Sequence, residues 1–258
     1  MRRIDRSKTQ APAKLTAAAV NALKKIEAII AAPAEPASKD FDGAVYASEE
    51  VKQTLWDMQH RKCCFCEHAY ERKWSTVEHF RPKTKASRDR KSTTSVRGYW
   101  WLAYEFENLY FCCSNCNTPK SDYFPLDPAS PPLAVKTLAS NGAELPIILD
   151  PGVDDPEQHL TFTTLPNGAY RIAPLNASPR GTETIFATRL DRDDLNELRE
   201  KHLVAHLQPV VDLHVEATKL KAPPVLIGQI VQMARDLCEA SREFSLLAKA
   251  FFKAEGLL

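Results

Sequence analysis

The sequence predicts an α+β fold, and three observations carry that prediction. Two cysteine pairs with two-residue gaps, Cys63 with Cys66 and Cys113 with Cys116, clamp the middle of the chain. A strand–turn–strand pattern follows them, and apolar residues recur at helical spacing at both ends. With 44% hydrophobic and 26% charged residues among 258, the composition is that of a folded protein with a substantial core, not of a disordered chain.

The first element is an amphipathic helix over 13–32, where Leu15, Ala19, Leu23, Ile26 and Ile30 form one stripe and Pro33-Ala34-Glu35-Pro36 ends it. A second helix starts at Ser48, with Glu49 and Glu50 in its first turn and Val51, Leu55 and Met58 on one face, and delivers the chain to Cys63. From Thr84 to Ser95 the sequence is polar, basic and aperiodic, which predicts an exposed, mobile loop whose tip touches a phosphate backbone. Gly98 to Phe111 is rich in aromatics, and a short helix there, its rings packed into the core in preference to stacking on bases, leads into Asn108. Leu145 to Leu149 reads as a strand, and Leu160 to Thr164 pairs with Tyr170 to Ala173 across Pro166-Asn167-Gly168. After Thr182 the pattern is helical, with one segment near 193–221, a break at Pro223-Pro224 and a last segment to Gly256. The chain thus divides into an N-terminal arm and helix (1–47), a cysteine-clamped module (48–130) and an α+β to helical C-terminal region (131–258) suited to docking a partner.

Charge is unevenly spread. Residues 61–97 carry eleven Lys and Arg against four acids, whereas residues 122–200 carry six against thirteen, so a polyanion belongs on the first stretch and not on the second. Neither a secretory signal nor an apolar run long enough for a membrane is visible, which predicts a cytoplasmic protein. In a reducing compartment seven cysteines imply metal binding rather than a disulfide framework. Cys63, Cys66, Cys113 and Cys116 are the ligand set for a structural zinc ion, with Cys64 and Cys112 leaving the register open. Cys238 is expected as a lone buried thiol.

Between the pairs lie Glu78, His79 and Asn108, and Asn117 follows directly. An imidazole titrates near neutrality and suits proton transfer, while carboxylate and carboxamide oxygens suit Mg²⁺ or Mn²⁺ better than zinc. These residues fit phosphodiester hydrolysis, which needs a base for water, a cation on the phosphate oxygens and positive charge along the strand. Lys62-Cys63-Cys64-Phe65-Cys66-Glu67, Val77-Glu78-His79-Phe80-Arg81-Pro82-Lys83, Tyr99-Trp100-Trp101-Leu102-Ala103, Glu107-Asn108-Leu109, Cys113-Ser114-Asn115-Cys116-Asn117 and Phe124-Pro125-Leu126 together resemble HNH endonucleases of the PtuB type, from Septu and retron-linked anti-phage systems.

The resemblance implies a ββα-metal finger pinned by zinc knuckles and flanked by N-terminal helices, a small hairpin and a helical C-terminal region. It implies His79 as general base, Glu78 and Asn117 as holders of a catalytic Mg²⁺ or Mn²⁺ ion, and Asn108 as the group orienting His79 or its loop. Arg81, Lys83 and Lys120 become phosphate contacts. DNA is the implied substrate and an SMC-like or ABC-type ATPase of the PtuA type the implied partner, with a retron RNA–DNA element as a further one. The same residues are compatible with an RNA-directed nuclease, or with a zinc-stabilised nucleic-acid-binding module in which Glu78 and His79 are inert.

Overall fold

The structure, a computed structural model, describes residues 1–91 and 94–258. Helix α1 (Ala13–Ala31) lies where its stripe predicts and buries Leu15, Ala22 and Ile26. A short turn, α2 (Gly43–Tyr46), is started by the Asp42 carboxylate accepting from the Ala44 N–H. In α3 (Glu49–Met58) the Ser48 hydroxyl accepts from the Val51 N–H, and Val51, Leu55 and Met58 are buried.

Strand β1 (Ser75–His79) pairs antiparallel with β4 (Leu109–Cys113), Val77 opposite Phe111 and His79 opposite Leu109. Helix α4 (Ser114–Lys120) begins as β4 ends. Where a mobile loop was expected, β2 (Lys85–Ser87) and β3 (Ser95–Arg97) form a hairpin; Ser92 and Thr93, part of that expected loop, lie outside the described residues. Two basic residues of this stretch, Arg88 and Arg90, serve as internal ties. Arg88 donates to Phe124 O at 2.7 Å and to the Tyr99 hydroxyl at 2.9 Å, and Arg90 donates to Pro119 O and Ala187 O, both at 2.9 Å. Gly98 follows β3 so closely against the turn after β1 that a Cβ there would meet Pro82 O at 2.6 Å. Only glycine lets that backbone through.

The aromatic stretch forms two 3₁₀ turns, Trp100–Leu102 and Phe106–Asn108, in place of one helix. Its rings are buried, as core packing requires: Tyr99, Trp100, Trp101, Tyr104, Phe106, Tyr110 and Phe111 all lie inside. Leu145–Leu149 forms no strand. Pro146 makes a single bridge to Leu126, and Leu149 N donates to the Thr184 hydroxyl at 2.9 Å, so the run is held by a loop and a helix with no partner strand beside it. Strands β5 (Leu160–Thr164) and β6 (Tyr170–Pro174) pair as predicted, with Gly168 in the turn at φ +83°.

Helices α5 (Pro179–Thr188) and α6 (Asp193–His202), a π-helical turn (Leu203–Leu207), and α7 (Gln208–Lys219) precede the break at Pro223. The last expected helix is two, α8 (Pro224–Leu237) and α9 (Ser245–Ala254), and Cys238 caps α8 half-buried instead of sitting buried within a helix. The link between them returns to the first cysteine pair: Lys62 Nζ donates to Arg242 O at 2.8 Å, and the Ser245 hydroxyl donates to Glu67 at 2.8 Å. Among the described residues no helix is long and apolar enough to cross a membrane.

Candidate metal centre

The turn after α3 carries Cys63 and Cys66, the end of β4 carries Cys113, and α4 carries Cys116. Their four sulfur atoms lie within 4.8 Å of one another and all four residues are buried. Cys66 and Cys113 sulfurs are 3.9 Å apart, against the roughly 3.8 Å edge of a tetrahedron with metal–sulfur bonds of about 2.3 Å. The set could hold a zinc ion, and the four residues that converge are those with the two-residue gaps. Four thiolates around one divalent ion leave two excess negative charges. Arg192 Nη1 lies 3.4 Å from Cys116 Sγ, and Arg199, 2% exposed, is brought down to about 10 by burial, against the pull of Cys66, Glu67 and Cys116. Both arginines come from the acidic half of the chain, where net charge gave no sign of them.

A second cluster surrounds the end of β1. Glu78 is 4% exposed. Its Oε1 is ion-paired with Lys120 Nζ at 2.5 Å. Burial pushes its carboxyl up, opposed by Lys120 and Lys83. Lys120 is fully buried and also donates to His79 O at 3.3 Å.

His79 is 6% exposed, with Nε2 2.9 Å from Ala103 O and the Tyr46 ring edge-on at 4.6 Å between centroids. A carbonyl only accepts, so Nε2 carries the proton and Nδ1 keeps its lone pair. Burial drives the imidazole well below its ordinary value, and the nearby Lys83 charge adds to this. It is therefore neutral near pH 7.

Asn108, 2% exposed, clamps the turn after β1. Its Oδ1 accepts from Arg81 N at 2.8 Å, and its Nδ2 donates to Arg81 O at 3.0 Å and Leu102 O at 3.1 Å. Asn117 is half-buried on α4 and donates to the Thr76 hydroxyl at 2.6 Å, two positions before Glu78 on β1.

The expected phosphate contacts are placed differently. Arg81 is buried and paired with Glu144 at 3.0 Å, Lys120 is enclosed beside Glu78, and half-buried Lys83 has its ammonium 4.8 Å from the Tyr46 ring centre. Arg81 and Lys120 are each enclosed beside a carboxylate, whereas Lys83 stays partly exposed. Sequence reasoning missed Tyr46, the Ala103 carbonyl, Glu144, Arg192 and Arg199. All are contacts across long sequence separations, with no local spacing to mark them.

Over 163 residues the chain is 32% identical to the Septu protein PtuB of Bacillus mycoides (strain KBAB4), a match covering 62% of this chain and 53% of that protein. The match thus spans about half the length of this curated relative. It bears out the resemblance to a PtuB-type protein that the motifs carry. No protein-family model matches the chain, and no solved structure matches it.

Proposed function

We propose that the protein is a metal-dependent HNH endonuclease acting on DNA, the nuclease of an anti-phage pair of the Septu type, working with an ATPase partner. One observation carries the reading: a strand–strand–helix unit places Glu78 and His79 at the end of β1, Asn108 at the start of β4 and Asn117 on α4, with four thiols closing the unit. That order of elements is what a ββα-metal finger requires. The similarity to a Septu protein supports the defence setting.

In this reading His79 Nδ1 takes the proton of the attacking water, and the Nε2 bond to Ala103 O fixes the ring for that transfer. Asn108 holds the turn on which His79 sits, and Lys120 favours the ionised form of Glu78. Glu78 Oε1 faces the Lys120 ammonium at 2.5 Å, so a cation held by Glu78 would use its other oxygen or displace that lysine. A Mg²⁺ or Mn²⁺ ion held there and by Asn117 would supply positive charge to the phosphate oxygens. A groove of about 500 Å³ borders Lys120 and is lined by Lys85, Arg90, Asp122 and Tyr123, with Lys85 paired to Asp122 at 3.2 Å.

The burial of Glu78 and His79 favours a second reading, a nucleic-acid-binding module that does not cut. Purified protein with Mg²⁺ or Mn²⁺, plasmid DNA and labelled RNA, with and without the ATPase partner, separates the two. Cutting of DNA that falls by about 10²–10⁴ in His79→Ala supports the nuclease. Undiminished cutting by His79→Ala, or none with any divalent ion and the partner present, overturns it, and cutting confined to RNA reassigns the substrate.

A further inference from the structure

Four of the six cysteines around the knuckles complete one site, and the remaining two are not scattered. Cys64 and Cys112 lie with Cys63 in a second group whose three sulfurs are within 4.8 Å of one another. We propose that these three residues bind a second thiophilic d¹⁰ ion, with the Cys63 thiolate shared between the two centres.

Cys63 Sγ is 3.8 Å from Cys112 Sγ, the separation of two sulfurs on one metal with bonds of about 2.3 Å, and far from the roughly 2.05 Å of a disulfide. The three residues are 2%, 3% and 0% exposed, and Cys113 N–H points at Cys63 Sγ from 3.5 Å, a donor placed to steady a bridging thiolate. A small cavity of about 70 Å³ borders Cys63 and Cys64 and is lined as well by Gln59, Lys62 and Arg2. It is large enough for an ion to enter with a water, and its wall carries Arg2, Arg3 and Lys62 beside Asp5 and Glu67. The opposite side of the thiol cluster is served by Arg192 at Cys116. Three sulfurs in a buried pocket suit soft ions such as Zn²⁺, Cd²⁺ or Cu⁺ and exclude Mg²⁺. Binding releases the thiol protons of Cys64 and Cys112, including the one Cys112 now donates toward Cys113 O at 3.4 Å.

The proposal is independent of nuclease activity and is tested by counting metal. The reduced full chain, folded with excess Zn²⁺ and desalted, is weighed by native mass spectrometry and assayed for zinc per chain. Two zinc ions are expected in the wild type and one in each of Cys64→Ala, Cys112→Ala and Cys63→Ser, the last because the first site keeps three sulfurs and the second only two. Loaded with ¹¹³Cd²⁺, the wild type gives two cadmium resonances coupled to each other through the shared sulfur, and Cys112→Ala gives one. One ion in the wild type under these conditions overturns the proposal whatever the variants do. Two ions retained in Cys112→Ala also overturn it, by placing the second ion elsewhere.

Discussion

Replacing Asn108 by alanine tests how the turn carrying His79 is held. The side chain makes three hydrogen bonds from a position 2% exposed, and its removal strands Arg81 N–H and Arg81 C=O in the interior, while Leu102 C=O keeps the Glu105 N–H at 3.3 Å. A buried polar group left without a partner costs about 1–3 kcal/mol. Two in one place, partly relieved by local relaxation, put the loss at about 2–4 kcal/mol. For a protein of this length 1 kcal/mol corresponds to about 2–4 °C in Tm, so Asn108→Ala should melt about 10 °C lower by circular dichroism at fixed zinc. Asn108→Asp keeps only the bond from Arg81 N–H and turns a carboxylate toward two carbonyls, so it should melt nearly as low. Asn117→Ala, which loses one bond to Thr76 from a half-buried position, should lose about 0.5–1.5 kcal/mol. If Asn108→Ala melts within about 2 °C of the wild type, the clamp does not hold the turn and the reasoning fails.

Further outcomes follow from the same geometry. Because burial lowers the His79 pKa in the fold, the unfolded chain binds the extra proton first, and the contribution of neutral His79 to stability is lost as pH falls through 6.5 and below. The difference in unfolding free energy between wild type and His79→Gln should therefore narrow on going from pH 7.5 to pH 5.5 in urea titrations; a constant difference would refute the buried, neutral imidazole. Arg192→Ala removes the donor at Cys116 Sγ, a bond to a charged sulfur worth about 1.5–3 kcal/mol, and should speed zinc loss to a chelating dye at least several-fold. An unchanged rate would mean the guanidinium does not steady the cluster. Tyr46→Ala strips the edge-on ring from His79 at a cost of about 0.5–1.5 kcal/mol. Diethyl pyrocarbonate, followed by peptide mass mapping, should then label His79 in the variant and spare it in the wild type; equal labelling would show that Tyr46 does not shield it.

Much of the fold was legible because its signals are local. The Ser48 cap with its two acids, the 13–32 stripe, the Pro166-Asn167-Gly168 turn and the doubled cysteine spacing each fit within a few residues, and each element formed there. Of the candidate site, the spacing marked four cysteines whose sulfurs converge, and Glu78 lies beside Lys120 while Asn108 holds the turn that follows His79. What stayed hidden depends on partners far along the chain. Arg81 looked free for a phosphate until Glu144 met it from 63 residues away, and Arg88 and Arg90 looked like a solvated loop until they tied to Phe124 and Ala187. Leu145–Leu149 has the composition of a strand, yet no neighbouring strand offers it a ladder, and composition alone cannot report a missing partner.

The contact between Arg192 and Cys116 also bears on how the chain is made. The two residues are 76 positions apart, so at about 5–20 residues per second the ribosome delivers the arginine roughly 4–15 s after the last cysteine of the cluster. A nascent knuckle that captured a metal in that interval would lack its arginine donor at Cys116, which arrives just ahead of α6. Retention of such an ion would then depend on synthesis of the C-terminal half, so a truncated translation product should surrender it more readily than a finished one.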